Sequence, residues 1–238
     1  MRYIPKPQGS LARCMLDLAK AEMRDAGISE LYEHFHDKRV LNDILRKEQK
    51  GICCYCQQKI DHYQEPNFCG SHNEHLHPEN GPYAREDLQL DYENIFACCN
   101  YSKGFERRLQ HCGEHKTYQV INRNFLNGHD CSHYFKYNSN GEILPQCPMG
   151  SYKEICENVD RLTDTQKDAL QIIAVLNLNV QSLVNRRKGI IDEVFKFVQT
   201  VTPEQISHKI LTISSEQEQY LEFVDMILFY LKKFAKKD

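Results

Sequence analysis

Cysteine and histidine residues are concentrated in the middle of this 238-residue chain. Nine of its eleven cysteines and eight of its eleven histidines lie between residues 52 and 148. Gly, Pro and Asn are frequent in the same region, and no helical period of apolar residues persists through it. This region contains too few apolar residues to build a hydrophobic core alone. We therefore expect a small, loop-rich module that a metal ion organises.

The expected compartment decides how these cysteines are interpreted. The first residues, Met1 to Lys6, contain no apolar segment of a signal peptide, and no apolar stretch approaches the roughly 18–20 residues that a membrane-spanning helix needs. We therefore predict a cytoplasmic protein without membrane association. In a reducing compartment, clustered cysteines with His and Asp/Glu between them favour a metal site over disulfides.

The charge balance excludes a globally basic nucleic-acid binder, since the formal net charge is −3. A local basic segment is still present, because residues 103–123 carry five Lys/Arg against two Glu. Contact with nucleic acid can depend on such a local patch or on a partner.

The distribution of residue types along the chain predicts an α+β protein of three parts. Residues 1–51 form an N-terminal helical segment, residues 52–148 the metal-binding core and residues 151–238 a C-terminal helical lobe. Near the end of the core, alternating apolar residues around Asn140-Gly141 predict a β-hairpin. In the lobe, Thr163 to Gln166 and Thr202 to Gln205 have the pattern of helix-capping boxes, and residues 180–198 and 220–234 carry apolar stripes at helical spacing.

A zinc site is expected from two separated ligand pairs. Cys53 and Cys56 form a C-x-x-C knuckle, whose turn lets two thiolates bind one ion at tetrahedral angles. Downstream stand Cys98-Cys99 and His111-Cys112, from which we select Cys99 and Cys112 to complete a Cys₄ structural zinc site. The alternative ligands are Cys98, Cys54 and Cys69. His129, Cys131, His133 and Cys147 follow no spacing that predicts a second site.

Residues typical of phosphodiester chemistry lie between the two zinc pairs. An acidic residue directly followed by histidine, Glu74-His75, ends a short extended run, and Asn94 comes before the second pair. Phosphodiester hydrolysis needs a deprotonated water and a cation that neutralises developing charge. A neutral histidine is a suitable base near pH 7, and a carboxylate is a suitable ligand for a hard divalent cation.

The order of these elements resembles that of the HNH endonucleases, whose core is a ββα-metal fold. More narrowly, it resembles the HNH proteins encoded beside retrons and in Septu-type antiphage systems. The likeness covers most of the chain, and the zinc and Glu-His elements are its specific parts. The matching residues are Arg2-Tyr3-Ile4-Pro5-Lys6, Glu48 to Cys53, Cys56, Glu74-His75, Asn94, Cys99, His111-Cys112, Lys116, Tyr134 to Tyr137, Leu176 to Asn179 and a trailing Arg186 or Arg187.

The resemblance implies a role for several of these residues. His75 would be the general base, and Glu74 would bind a single catalytic Mg²⁺ or Mn²⁺. Asn94 would fix the β-hairpin of the ββα-metal core and orient His75. Lys116 would contact phosphate. The chain departs from the family at Gly113, since members tend to carry a metal ligand directly after the last zinc cysteine. We expect His115, or next His111, to replace that ligand, with water as the remaining alternative.

The resemblance also implies partners. The protein would be the nuclease effector of an antiphage defence system, gated by an ATPase subunit encoded nearby, with retron RNA or DNA in the complex and a homodimer as one arrangement. Both DNA and RNA, including tRNA, stay open as substrates. The alternative from a different class is a zinc-bound nucleic-acid-binding or adaptor module without catalysis, which has no need of the Glu74-His75 pair.

Overall fold

The fold is described from a computed structural model, for residues 1–60, 70–122, 126, 133–215 and 218–235. Cys69, His129 and Cys131 lie outside the described residues. The predicted α+β class is confirmed, because many helices accompany two small antiparallel sheets. Among the described residues no helix is both long enough and apolar enough to cross a membrane.

The N-terminal segment forms three helices: α1 (Leu11–Asp25), α2 (Leu31–His34) and α3 (Lys38–Glu48). The Ser10 hydroxyl caps α1 by accepting a bond from the Ala12 amide at 3.1 Å. Leu41 and Leu45 of α3 face the core. The chain then turns through Gly51, whose φ of +77° lies in the left-handed region that glycine adopts without strain.

The central region is built on strands β1 (Ser71–His75) and β2 (Ile95–Cys99), followed by the short helix α4 (Gly113–Lys116). The strands pair antiparallel, with Ser71 opposite Cys99 and His75 opposite Ile95. The buried side chain of Gln49 bonds to both the N–H and the C=O of Ala97, at 2.7 and 2.8 Å. This amide thereby attaches the end of α3 to the outer edge of β2.

The predicted hairpin is confirmed as β3 (Phe135–Tyr137) and β4 (Ile143–Pro145). Its turn passes through Gly141, where φ is +91°. The buried guanidinium of Arg187 donates to the Gly141 carbonyl at 2.6 Å and to the Leu178 carbonyl at 2.7 Å. Arg187 therefore joins the hairpin to the helical lobe.

The lobe consists of α5 (Tyr152–Glu157), α6 (Asp164–Val175), α7 (Gln181–Gln199), α8 (Pro203–Ser214) and α9 (Val224–Ala235). Both predicted capping boxes are present, at the starts of α6 and α8. The apolar stripe that begins at Tyr220 is helical only from Val224. Before that point the Tyr220 and Phe223 amides donate to the Lys50 and Gln57 carbonyls, at 2.9 and 3.0 Å, and Phe223 has a φ of +52°.

The main hydrophobic core includes residues of all three predicted parts. It joins Ile4 and Leu16 near the N-terminus to Phe96 in β2 and to Ile173 and Leu231 in the lobe. A smaller hydrophobic cluster joins Leu144 of β4 to Ile155 of the C-terminal lobe. The cysteine-rich central region therefore packs against helices of both the N-terminal segment and the C-terminal lobe.

Candidate metal centre and catalytic cluster

Six buried cysteine thiols meet between the knuckle, the end of β2 and the turn before α4. They belong to Cys53, Cys54, Cys56, Cys98, Cys99 and Cys112. The Cys54 amide donates to the Ala97 carbonyl at 3.2 Å, which holds the knuckle beside β2. The Cys112 amide donates to the Leu176 carbonyl at 2.8 Å, which fixes the turn against the end of α6.

The spacing of the thiols suits a tetrahedral ion such as zinc. Zn–S bonds of about 2.3 Å at tetrahedral angles place the sulfurs roughly 3.8 Å apart. The Sγ atoms of Cys53 and Cys98 are 3.9 Å apart, those of Cys53 and Cys112 are 4.0 Å apart, and those of Cys56 and Cys99 are 3.7 Å apart. The cluster could therefore hold a metal ion.

The ligand atoms form two overlapping groups of four. One group is Cys53, Cys98, Cys99 and Cys112, and the other is Cys56, Cys99, His111 and Cys112. Of the four predicted zinc ligands, Cys99 and Cys112 belong to both groups, Cys53 to the first and Cys56 to the second. All four predicted cysteines thus lie in the cluster, but neither group contains both Cys53 and Cys56, and Cys98 and His111 complete the two groups.

Burial raises the pKa of the Cys56 and Cys112 thiols. Without a cation these thiols stay protonated in the interior, and a bound ion must supply the free energy for their ionisation. Binding of a metal ion by the cluster would therefore be coupled to the folding of this region.

A second cluster surrounds the carboxylate of Glu74 on β1. Its Oε1 accepts from the Tyr55 hydroxyl at 3.1 Å and lies 3.0 Å from the Lys116 ammonium. Its Oε2 lies 3.2 Å from Nε2 of His72. Burial acts to raise the pKa of Glu74, but the Lys116 charge and the His72 hydrogen bond outweigh it and hold that pKa at about 2. Glu74 is therefore an ionised, almost buried carboxylate.

His72 is the site residue that the sequence analysis did not select, since only the directly adjacent pair Glu74-His75 was considered there. It stands two positions before Glu74, so both side chains lie on the same face of β1. Its Nδ1 hydrogen bonds to Oδ1 of Asn100. Although burial acts to lower it, the contacts with Glu74 and Asn100 raise the pKa of His72 to about 10. The spacing of alternate strand positions is the signal that could have identified it.

His75 has a different environment at the end of β1. Its Nε2 donates to the Gln89 carbonyl at 2.9 Å, and the Tyr32 ring packs edge-on at 4.4 Å between centroids. Burial lowers the pKa of His75 to about 4, so the imidazole is neutral. Because Nε2 carries the proton, Nδ1 carries the lone pair, and it lies 3.6 Å from Oε2 of Glu79.

Burial also raises the pKa of Glu79, to about 7. The side chain of Glu79 is 28% exposed, against 4% for His75. Glu79 therefore stands between solvent and the free nitrogen of the imidazole.

Asn94 and Lys116 hold the frame of this cluster. The Asn94 amide donates to the carbonyls of His77 and Leu88, at 3.0 and 3.1 Å, and accepts from the His77 N–H at 2.7 Å. Lys116 is buried and donates to the His75 carbonyl at 2.8 Å. Its ammonium therefore joins α4 to β1, and its burial keeps it out of contact with solvent.

Neither of the two predicted replacements for the ligand missing at Gly113 belongs to the cluster around Glu74. Nδ1 of His111 is 3.3 Å from Sγ of Cys112, within the thiol cluster. Nδ1 of His115 bonds to the Val175 carbonyl at 2.8 Å, and His115 belongs to none of the ligand-atom groups found among the described residues.

Comparison with known proteins gives no family. No protein-family model matches the chain, and no curated protein matches it either.

Proposed function

We propose that this protein is a divalent-cation-dependent endonuclease that hydrolyses nucleic-acid phosphodiester bonds. The observation that carries the proposal is that consecutive positions of β1 hold an ionised buried carboxylate and a neutral imidazole. Glu74 offers a ligand for a hard cation, and His75 offers a base with a defined tautomer.

The polypeptide itself performs the proton transfer in this proposal. The Gln89 carbonyl keeps the proton on Nε2 of His75, which leaves Nδ1 to accept a proton from the attacking water. The Glu79 carboxylate, 3.6 Å from Nδ1, stabilises the positive charge that then forms. A divalent cation at Glu74 would supply neutralisation of the charge that develops on the phosphate oxygens.

The order of elements supports the same assignment. Strands β1 and β2 and helix α4 follow each other as the ββα-metal fold requires, with the thiol cluster joining the end of β2 to the start of α4. Lys116 of α4 contacts both Glu74 and the backbone of His75, so the helix fixes the position of both residues.

An exposed segment beside α4 suits a nucleic-acid strand. Between β2 and α4 the side chains of Tyr101 and Phe105 are exposed, together with those of Lys103, Arg107 and Arg108. Exposed aromatic rings stack on bases, and basic side chains track the phosphate backbone. Neither contact selects between DNA and RNA, so the proposal includes both.

Cleavage of a substrate panel tests the proposal. Duplex DNA, single-stranded DNA and tRNA are incubated with Mg²⁺ or Mn²⁺ and with wild type, His75→Ala or the control His208→Ala, whose side chain is exposed on α8. We expect wild type and the control to cleave, and His75→Ala to be slower by about 10²–10⁴-fold. Equal rates for wild type and His75→Ala would contradict the role of His75. Binding without cleavage by wild type would favour the adaptor function.

The biological setting is proposed from the sequence resemblance. The nuclease would act in the cytoplasm as the effector of an antiphage system, gated by an ATPase encoded nearby. A gate is physically reasonable because an always-active nuclease would attack its own host. Co-purification with that ATPase, and cleavage that depends on it, would support the partner. A wild type that cleaves fully on its own would contradict the gate.

A further inference from the structure

We infer that His72 is a direct ligand of the divalent cation at Glu74 and replaces the side chain that Gly113 lacks. This inference rests on the proposed function for the presence of that cation. It identifies a second protein ligand on β1 itself, two positions from the carboxylate.

The first support is the geometry of the two donor atoms. Nε2 of His72 and Oε2 of Glu74 are 3.2 Å apart on one face of β1. Two adjacent ligands of an octahedral ion with bonds of about 2.1 Å lie roughly 3 Å apart. The His72 side chain is 30% exposed and that of Glu74 is 10% exposed, so an ion can enter from solvent on the side of His72.

The second support is the partner of the other ring nitrogen. Nδ1 of His72 bonds to the side-chain oxygen of Asn100. A histidine ligand usually donates its second N–H to an oxygen acceptor, which fixes the ring and directs the lone pair of the other nitrogen at the metal. Because the raised pKa of His72 keeps a proton on Nε2 in the absence of a cation, binding of the cation must release that proton to solvent. Asn100 follows β2 directly, so the strand pairing itself sets this orientation.

The third support comes from Gly113. Its φ is not in the left-handed region, so the backbone there would accept any residue. A Cβ at this position would lie 2.4 Å from Oε2 of Glu74 and 2.7 Å from Nε2 of His72. A side chain at position 113 would therefore force the ends of the Glu74 and His72 side chains to move. A side chain at position 113 would point between the two donor atoms. In this chain the His72 ring occupies the space that a ligand from α4 would need.

The donor set indicates the kind of ion. Mg²⁺ prefers oxygen ligands, whereas imidazole nitrogen also suits first-row transition metals. Cys98 lies close to both donors but is also part of the thiol cluster, which leaves His72 and Glu74 as the donors specific to this site. The site should therefore bind Mn²⁺ more tightly than Mg²⁺.

Binding of Mn²⁺ alone to the full-length, zinc-loaded protein tests this inference. The affinity is measured by electron paramagnetic resonance for wild type, His72→Ala, His72→Gln and the control His208→Ala. Pulsed measurements on the same samples detect the nuclear modulation of a coordinated imidazole nitrogen. Zinc content and circular dichroism verify the fold of each variant, and His72→Gln is informative if His72→Ala is unstable.

We expect wild type and His208→Ala to bind one Mn²⁺ with nitrogen modulation. Both His72 variants should lose the modulation and bind Mn²⁺ at least about tenfold more weakly. Gly113→Ala should also weaken Mn²⁺ binding, since its methyl group pushes the two donors apart. Modulation that persists in a folded His72 variant would overturn the inference.

The same experiment separates this inference from the proposed function. If Mn²⁺ binds through His72 but wild type cleaves no substrate, the site stands and the nuclease proposal fails. If cleavage depends on His75 while Mn²⁺ affinity is unchanged in the His72 variants, the nuclease proposal stands and the role of His72 fails.

Discussion

At the scale of single residues, the charge states of the side chains on and near β1 depend on their burial and on the charges of their neighbours. Glu74 stays ionised because Lys116 and His72 contact it, and His75 stays neutral because its ring is buried against Tyr32. Glu79 lies between these extremes, since burial raises its pKa to about 7 and the opposing charge of Lys38 does not outweigh that effect. Glu79 is therefore the carboxyl of this cluster that changes charge near neutral pH.

The elevated pKa of Glu79 predicts a pH-dependent stability. Because the folded state binds the proton more tightly than the unfolded state, the free energy of unfolding falls as the pH rises from 4.5 to 7. The loss amounts to at most about 3 kcal/mol. Urea unfolding of wild type and Glu79→Gln at pH 5 and pH 8 measures it. The variant should lose less stability between these two values than wild type, and an equal loss would contradict the assignment.

Sequence reasoning identified Glu74 and His75 because they are adjacent and the zinc pairs flank them. It missed His72 as a partner of Glu74, although residues two positions apart in the extended run that ends at His75 lie on one face of a strand. It also could not show that His115 bonds to Val175, sixty residues away in the chain. Contacts of that kind depend on how α4 docks on α6, and no local pattern records this.

At the scale of secondary-structure elements, local signals predicted the boundaries best where side chains supply the caps. The Thr163 and Thr202 boxes mark the starts of α6 and α8 correctly. The hydrophobic periodicity placed the start of the last helix too early. Tyr220 and Phe223 continue the apolar pattern, but their backbone N–H groups hydrogen bond to carbonyls beside the Cys53-Cys56 knuckle. Tertiary hydrogen bonds therefore set the start of α9.

Two glycines that contact or lie in α7 should respond in opposite directions to alanine. Gly189 is exposed within α7, and a Cβ there meets nothing within 4 Å. Gly189→Ala should therefore stabilise the protein by about 0.5–1 kcal/mol. At Gly141, φ is +91° and a Cβ would lie 2.3 Å from the Val184 carbonyl oxygen. Gly141→Ala should destabilise by at least about 1–2 kcal/mol, as measured by chemical denaturation, and the opposite order would contradict the hairpin docking.

At the scale of the whole molecule, the thiol cluster and the shared core hold strands β1 and β2 between two sets of helices. Gln49 connects α3 to β2, Cys112 connects α4 to the end of α6, and Arg187 connects the hairpin to the lobe. The sequence predicted the three regions by composition. It could not predict that their apolar residues join in one main core, because that depends on long-range packing.

Loss of a thiol from the cluster should therefore destabilise the whole molecule. Cys112→Ser removes a thiol that both ligand groups share, and it should abolish stoichiometric zinc and lower the melting temperature strongly. Cys14→Ser, at an exposed position of α1, is the matched control and should retain zinc. Elemental analysis and thermal unfolding measure both quantities. Full zinc content in Cys112→Ser would show that the cluster is not the metal site.

The most direct test of the central claim is Mn²⁺-dependent cleavage by Glu74→Gln. The zinc-loaded protein is freed of weakly bound cations and then titrated with Mn²⁺ in the presence of nucleic acid. The control is Glu193→Gln, whose side chain is exposed on α7. We predict that Mn²⁺ restores cleavage to wild type and the control, while Glu74→Gln stays slower by about 10²-fold or more with its zinc content unchanged. Cleavage by Glu74→Gln at the wild-type rate would contradict the account.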